Sequence, residues 1–326
     1  MEINIFEKIA QKNKRKQFIK TVSASVLVVL ALLFLGYKGL NELTKKHGEE
    51  LKDRYLLLSE IAYPNIDYSN WHFNVTSQFT GVFESHRYKN IDGIQVPFEP
   101  YQGYYSLNVS RNNNHGEYLL EGDDGQSSYT HASHYKFPHF YNINHQYTSD
   151  SYHQLTQDIT FSSDLKGLAI EMAVTFDKPY TLDEIRNMIP DNLMINWYWI
   201  GTTSNLDTVD FYPSDLYGMK LYEDPNQSPD GVDFDSNYDV FIKNLQSALD
   251  NQWIESSYGW ENGQFEIKED VLSFINNNPD SGTAKFSGVI ITGQSEKFEA
   301  LKNKEWIYAS NIGQTVEIKP YHHLTK

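Results

Sequence analysis

Six histidines, His115, His131, His134, His139, His145 and His153, fall within 39 residues, and imidazole is the commonest side chain to bind transition metals. Two residues separate His131 from His134 and four separate His134 from His139, a spacing that matches no established metal site. The chain also has no cysteine, which removes thiolate zinc sites, disulfides and a thiol nucleophile together. Surface and aromatic-packing roles are therefore expected for these histidines. Asp233, Asp235, Asn237 and Asp239 imitate the first half of a calcium loop. Such a loop needs glycine at its sixth position and a bidentate glutamate at its twelfth, where this chain has Tyr238 and Asn244. An acidic cap on the following helix accounts for the same residues without a ligand. Trp197, Tyr198 and Trp199 could form a stacking platform. In a strand, Trp197 and Trp199 share a face with Ile195 while Tyr198 lies opposite, so core packing is the expected role and contact with a partner the competing one. The chain contains no G-x-S-x-G, H-E-x-x-H or phosphate loop, and no S-x-x-K with its partners, so neither an enzyme nor a cofactor is expected.

The elements that would carry these groups begin with a membrane anchor. Thr21 to Tyr37 (TVSASVLVVLALLFLGY) carries no charge, and at the helical rise its seventeen residues give about 25 Å. Phe18, Ile19 and the stems of Lys20 and Lys38 extend that length. Lys12, Lys14, Arg15, Lys16 and Lys20 stand directly before it, with Lys14, Arg15, Lys16 and Lys20 expected at the membrane interface. A cleaved leader would need a small-x-small site. Leu35-Gly36-Tyr37-Lys38-Gly39-Leu40 offers none that is convincing, so an anchor is expected, N-terminus inside.

Charge follows the same division. The first 20 residues hold six basic and two acidic side chains, and the remainder 21 basic and 41 acidic. The basic tail suits an anionic inner leaflet, and the acidic remainder would repel nucleic acid. Expected partners of the outer part are cations, a basic protein surface, or something neutral recognised by shape.

Leu40 to Ile61 is helical in pattern, with Leu40, Leu43, Leu51, Tyr55, Leu58 and Ile61 near one face and Pro64 as its stop. The stripe reads either as a stalk that could carry a homodimer seam or as a face packed on the domain above it. Residues 71 to 110 read as strands with a turn at Asp92-Gly93, and 111 to 153 is poorly periodic. Further on, 168–176 and 192–202 read as strands around a helix opened by the capping box Thr181-x-x-Glu184. Strands at 286–293 and 306–312 flank a second helix over about 295–301, and helices are expected over 238–249 and near 269–275. The expected fold class is α+β: a cytoplasmic tail (1–20), a transmembrane helix (21–40), a juxtamembrane stalk (41–63), a β-rich outer domain (64–154) and a C-terminal α+β domain (155–326). Two β-α-β halves with an insertion predict a ferredoxin-like sandwich in the last of these.

The order of basic tail, membrane helix and LLLSEIAYPNIDYSNW resembles the amino-terminal module of the sigma factor regulator family, membrane-bound anti-sigma proteins of low-GC Gram-positive bacteria. EMAVTFDKPYTLDEIRNMIPDNLMINWYWIGT and GVIITGQSEKFEALKNKEWIYASNIG resemble the two halves of that family's carboxy-terminal domain, in the expected order. The resemblance covers most of residues 12 to 315. It implies a non-enzymatic regulator whose outer part senses envelope conditions and controls an extracytoplasmic-function sigma factor. Such proteins usually carry a cytoplasmic sigma-binding domain before the span, whereas here Met1 to Lys20 precede it. Control is therefore expected either directly, through a short face of Ile3, Ile5, Phe6 and Ile9, or through a membrane-protein co-regulator. A membrane-anchored envelope-binding module for glycan or protein is the alternative.

Overall fold

Residues Ile3–Ile61 form one helix of 59 residues, α1, that joins the basic tail, the uncharged stretch and the outer part without a break. It belongs to a computed structural model that describes residues 3–113, 119–121, 128–130, 136–148, 151, 153–221, 234–254, 257–258 and 264–326. The helix stops where the sequence predicts. Tyr63 takes a left-handed φ of 56° immediately before Pro64, whose ring excludes the helical region for its predecessor, and Asn65 follows at 51°.

The outer end of α1 is a core element. Leu51, Tyr55, Leu58 and Ile61 are buried against the chain's own sheets. Of the two readings of that apolar stripe, the structure takes packing on the domain above. A free stalk with Leu51, Tyr55, Leu58 and Ile61 at a dimer seam is thereby corrected, because their three- and four-residue spacing turns one face toward the sheets and burial there consumes it. Leu40 and Leu43, nearer the uncharged stretch, remain exposed.

Strands β1 (Asp67–Ser77), β2 (Thr80–Ile91), β3 (Ile94–Ser106) and β4 (Ser110–Asn113) form an antiparallel meander in that order. Asp92 and Gly93 both have positive φ, the requirement of a two-residue hairpin turn, and they join β2 to β3. The inner face lies on α1. Tyr55 stacks on Tyr101 with ring centroids 4.1 Å apart and meets Phe83 at 5.4 Å. Leu51 lies over Gly103, where any side chain would collide with it.

Two short pairs follow at different points of the chain, β5 (Leu119–Glu121) with β6 (Ser128–Thr130) and β10 (Ser257–Tyr258) with β11 (Gln264–Phe265). The second large sheet contains β7 (Leu168–Thr181), β8 (Met194–Trp199), β9 (Gly218–Lys220), β12 (Lys285–Gln294) and β13 (Ile307–Glu317). Its order is β13-β7-β12-β8-β9, with every neighbouring pair antiparallel. Helix α2 (Leu182–Met188) follows β7 and opens with the expected capping box: Glu184 N–H donates to Thr181 Oγ1, and Thr181 N–H donates back to Glu184 Oε2 at 2.8 Å. Helices α3 (Phe234–Asp250) and α4 (Ile267–Asn277) lie in the insertion before β12. The connection Ser295–Leu301, expected as an α-helix, is a 3-10 helix. Its buried residues are Ser295, Phe298 and Leu301, and that three-residue spacing suits a three-residue turn.

The main core joins the end of α1 to the second sheet, and Leu51, Tyr55, Phe83 and Tyr101 form a smaller one between α1 and the first sheet. Leu58, Ile61, Ile66 and Phe98 share the main core with Phe137, Phe140, Trp197, Trp199 and Phe286 of the second sheet and its flanks. At the seam between the sheets the core turns polar. Lys89 of β2, fully buried, donates from Nζ to Glu171 Oε2 of β7 at 2.6 Å. Glu171 also accepts from Asn65 Nδ2 at 2.8 Å and from Gln314 N–H at 3.0 Å. Asn196 of β8 donates to Asn65 Oδ1 and to the Asn90 carbonyl, and accepts from Thr292. Burial pushes the Lys89 ammonium below its usual pKa, while the Glu171 carboxylate pulls it upward.

This pair predicts an asymmetric mutant cycle. Lys89→Met leaves Glu171 as an uncompensated buried charge and is expected to cost about 3–5 kcal/mol in urea unfolding of the detergent-solubilised chain. Adding Glu171→Gln removes that charge while keeping an acceptor for Gln314, and the double variant is expected to recover part of the loss. A double variant less stable than Lys89→Met would show that the pair does not carry the seam.

Candidate functional site

Among the described residues, α1 is the one helix long and apolar enough to cross a membrane, and none of its most apolar window is buried within the chain. Val26, Leu27, Val28, Leu30, Leu33 and Leu35 are all more than half exposed, which is compatible with a single-pass membrane anchor. Lys14, Arg15, Lys16 and Lys20 are exposed on the same helix. Three consecutive positions at 100° intervals place Lys14, Arg15 and Lys16 around the helix, as a collar just before the apolar stretch. Phe6 and Ile9 are exposed at 75% and 52%, and the side chain of Ile5 lies outside the described residues.

Trp197 and Trp199, carried as candidate partner contacts, are 0% and 2% exposed. Phe140 stacks on Trp199 at 4.9 Å and lies 5.9 Å from Trp197, so both indoles are sealed inside the core and the partner reading is corrected. The reason is that both faces of the second sheet are covered, one of them by the segment around Phe140.

A cleft of about 380 Å³ opens at the polar seam. Glu60 from the last turn of α1, Asn65 and Asp67 beyond it, Tyr68 of β1, Tyr88 and Asn90 of β2, Asn196 of β8 and Lys220 of β9 line it. Helix α1 and both sheets thus meet there. Lys220 Nζ donates to Asp67 Oδ1 at 2.7 Å and to the Ile66 carbonyl at 3.1 Å. Tyr68 is held above the usual phenol pKa by burial and by the Glu60 carboxylate, Tyr55 and Asp67, and Tyr88 by burial and Asp67. Two carboxylates against one ammonium, three amide side chains and two phenols make a wall that can hydrogen-bond a polar ligand from several directions.

The histidines divide. His115, His131 and His134 lie outside the described residues, as does Asp233 of the calcium-like run. Of the rest of that run, Asp235 accepts a hydrogen bond from Ser281. Among the described residues no three His, Asp or Glu side chains are grouped to hold a metal. His145 Nδ1 meets the Asn205 carbonyl at 3.0 Å, and His153 Nδ1 meets Asp207 Oδ2 at 2.8 Å. Burial raises the Asp207 pKa, but hydrogen bonds from His153, Val209 N–H and Tyr147 outweigh it and hold the carboxylate below its ordinary value. His139 is buried, with its ring edge-on to Phe137 at 5.5 Å. Burial, with smaller contributions from His153 and Lys136, pushes its pKa down to about 3.

Lys89, Glu171, Asn65 and Asn196 form the polar seam beside the cleft, and the sequence did not single them out. Two signals could have found them. Alternation along β2 puts Arg87 and Lys89 on the same face as Phe83 and Ile91, and Glu171 is a lone charge inside the apolar run LAIEMAVTF.

His139 gives a signed pH dependence. Its folded pKa is depressed, so the stability from burying a neutral ring is fully present above the unfolded value near 6.5 and is lost as pH falls toward about 3. In that window the chain is expected to lose up to about 1.4 kcal/mol per pH unit more steeply than its His139→Asn variant. Urea titrations of both at pH 7, 6 and 5 measure this, and parallel losses would contradict it.

Two family models divide the chain near the seam. Residues 7–96 match the Sigma factor regulator N-terminal model, which takes in most of α1 with β1, β2 and the start of β3. Residues 163–314 match the Sigma factor regulator C-terminal model, which takes in the second sheet and its helices up to the last residues of β13. No curated protein and no solved structure matches the chain. With a membrane-length apolar helix leading into a two-sheet outer part, and with both regulator models in order over most of its length, the chain belongs to the sigma factor regulator family.

Proposed function

We propose that this chain is the membrane-anchored, non-catalytic sensing component of an anti-sigma system. It holds an extracytoplasmic-function sigma factor inactive at the inner membrane face, directly or through a membrane-protein co-regulator. The tail of residues 1–20 lies in the cytoplasm, residues 21–40 cross the cell membrane once, and the outer part meets the envelope. The observation that carries this reading is the continuity of α1, which runs from Ile3 through the basic collar to Ile61 in the core as about 90 Å of helix. Movement of the outer sheets acts on Leu51, Tyr55, Leu58 and Ile61, and a rigid helix delivers that movement to Phe6 and Ile9 inside. The cleft is the sensing site in this reading, since a ligand there touches Glu60 of the helix and both sheets at once.

The order β13-β7-β12-β8 with antiparallel neighbours supports reading the second sheet as a split β-α-β, ferredoxin-like sandwich with β9 added at one edge. A second functional reading, an envelope-binding module for glycan or protein with no role in transcription, draws on the same cleft, whose amides, carboxylates and tyrosine rings suit a hydroxylated ligand.

Deletion of residues 2–16 separates the two. Signalling predicts a changed level of sigma-dependent transcripts with the melting temperature of the outer part unchanged. An unchanged transcript profile, with the truncated protein inserted and folded, would favour the envelope-binding module.

A further inference from the structure

The turn between β1 and β2 reaches back to the apolar stretch of α1. The Phe79 ring lies 5.9 Å from the ring of Tyr37, and Gln78 Nε2 donates to the Tyr37 hydroxyl. Tyr37 is the last residue of the uncharged stretch and Lys38 follows it. If Thr21 to Tyr37 spans a bilayer, Tyr37 stands at its outer boundary, and tyrosine is enriched at that depth. Phe79, held against it, is at the same height.

The composition of this edge of the sheet fits that position. From Phe73 to Phe83 no residue carries a charge, and none does from Pro100 to Ser110, in an outer part that holds 41 acidic and 21 basic side chains. These two segments end side by side, because Thr80 pairs with Ser106 and Gly81 with Tyr105. The exposed side chains are uncharged: Asn74, Thr76, Ser77, Gln78, Asn108 and Ser110 stand among Val75, which is 78% exposed, Tyr104 at 46% and Val109 at 39%. Charge returns directly after Phe83, at Glu84, and further along at the buried Arg87, Lys89 and Asp92. Lys38, Lys45 and Lys46 of α1, all exposed, stand on the outer side of Tyr37 and suit lipid phosphates.

We propose that this uncharged edge of the first sheet, centred on Val75, Gln78 and Phe79, rests on the outer surface of the lipid bilayer. The inference rests on the membrane-span reading of Thr21 to Tyr37. Its consequence is that the outer part is seated on the membrane beside its own anchor. The lipid surface then becomes a third support for the first sheet, after α1 and the second sheet, and it fixes the height of the cleft.

The absence of cysteine makes the test direct. Single substitutions Val75→Cys, Gln78→Cys, Gln95→Cys and Val28→Cys are introduced into the full-length chain, labelled with a nitroxide and reconstituted in nanodiscs of phosphatidylglycerol and phosphatidylethanolamine. Collision rates are read with oxygen, which concentrates in lipid, and with a water-soluble nickel chelate. Val75, Gln78 and Gln95 are all exposed, so the labels leave the core intact. The expected result is that labels at 75 and 78 favour oxygen several-fold over the label at 95, with the label at 28 the most oxygen-favoured. Labels at 75 and 78 as open to nickel as the one at 95, with that at 28 still in lipid, would overturn the seating alone. A nickel-accessible label at 28 would overturn the span, and the seating with it.

Discussion

A single helix has to satisfy two solvents. From Thr21 to Tyr37 α1 carries no charge on any side and its apolar side chains are exposed, while from Leu51 to Ile61 one face is buried and the other carries Glu, Asp, Lys and Arg. No proline interrupts it before Pro64, and its two glycines beside Tyr37 have open space where a side chain would stand. The arrangement of the outer part follows from that constraint. The first sheet wraps the amphipathic end of the helix through Tyr55, Phe83 and Tyr101, and the second sheet closes over Leu58 and Ile61. Only the last third of this long helix is packed against the sheets, and the rest is free of protein contact along its apolar stretch.

The Lys89–Glu171 pair determines how the two sheets meet. A buried ion pair adds little net stability compared with well-packed apolar residues of similar size, but removing one partner is costly. Such a pair therefore selects a register rather than adding strength. Here the register is shared, because Glu171 also holds Asn65 just beyond α1 and the backbone of Gln314 in β13. The amide chain from Asn65 through Asn196 to Thr292 continues it into β8 and β12. Helix end, first sheet and second sheet thus share one alignment in which these donors find their acceptors. The cleft lies along this alignment, so an occupant would act on it directly.

Much of this was legible in the sequence and some was not, for reasons that individual residues make plain. The Asp92-Gly93 turn, the capping box at Thr181 and Glu184, and the strands around 168–176 and 286–293 were readable because turn chemistry, capping and alternation are local. The fate of the Leu51, Tyr55, Leu58 and Ile61 stripe was not, since a helix face looks the same in sequence whether it meets another helix or a sheet folded from residues 67–113. Ser295–Leu301 was read as an α-helix although its three-residue burial period pointed to a 3-10 helix. Trp197 and Trp199 alternated as core residues should, but only the packing of Phe140, a residue from a poorly periodic segment, closes off a partner. The cleft could not be read at all, because its walls come from five separate stretches between Glu60 and Leu221.

In the proposed reading α1 carries movement from the sheets to the tail as one rigid body. The most direct test inserts a flexible Gly-Ser-Gly-Ser segment between Glu42 and Leu43, which lie beyond the apolar stretch and before the buried turns. Sigma-dependent transcripts are then compared in cells carrying the wild-type chain, the insertion and the deletion of residues 2–16. Mechanical coupling predicts that the insertion gives the transcript profile of the deletion although the protein is inserted and its outer part folded. A wild-type profile from the inserted chain would contradict the account.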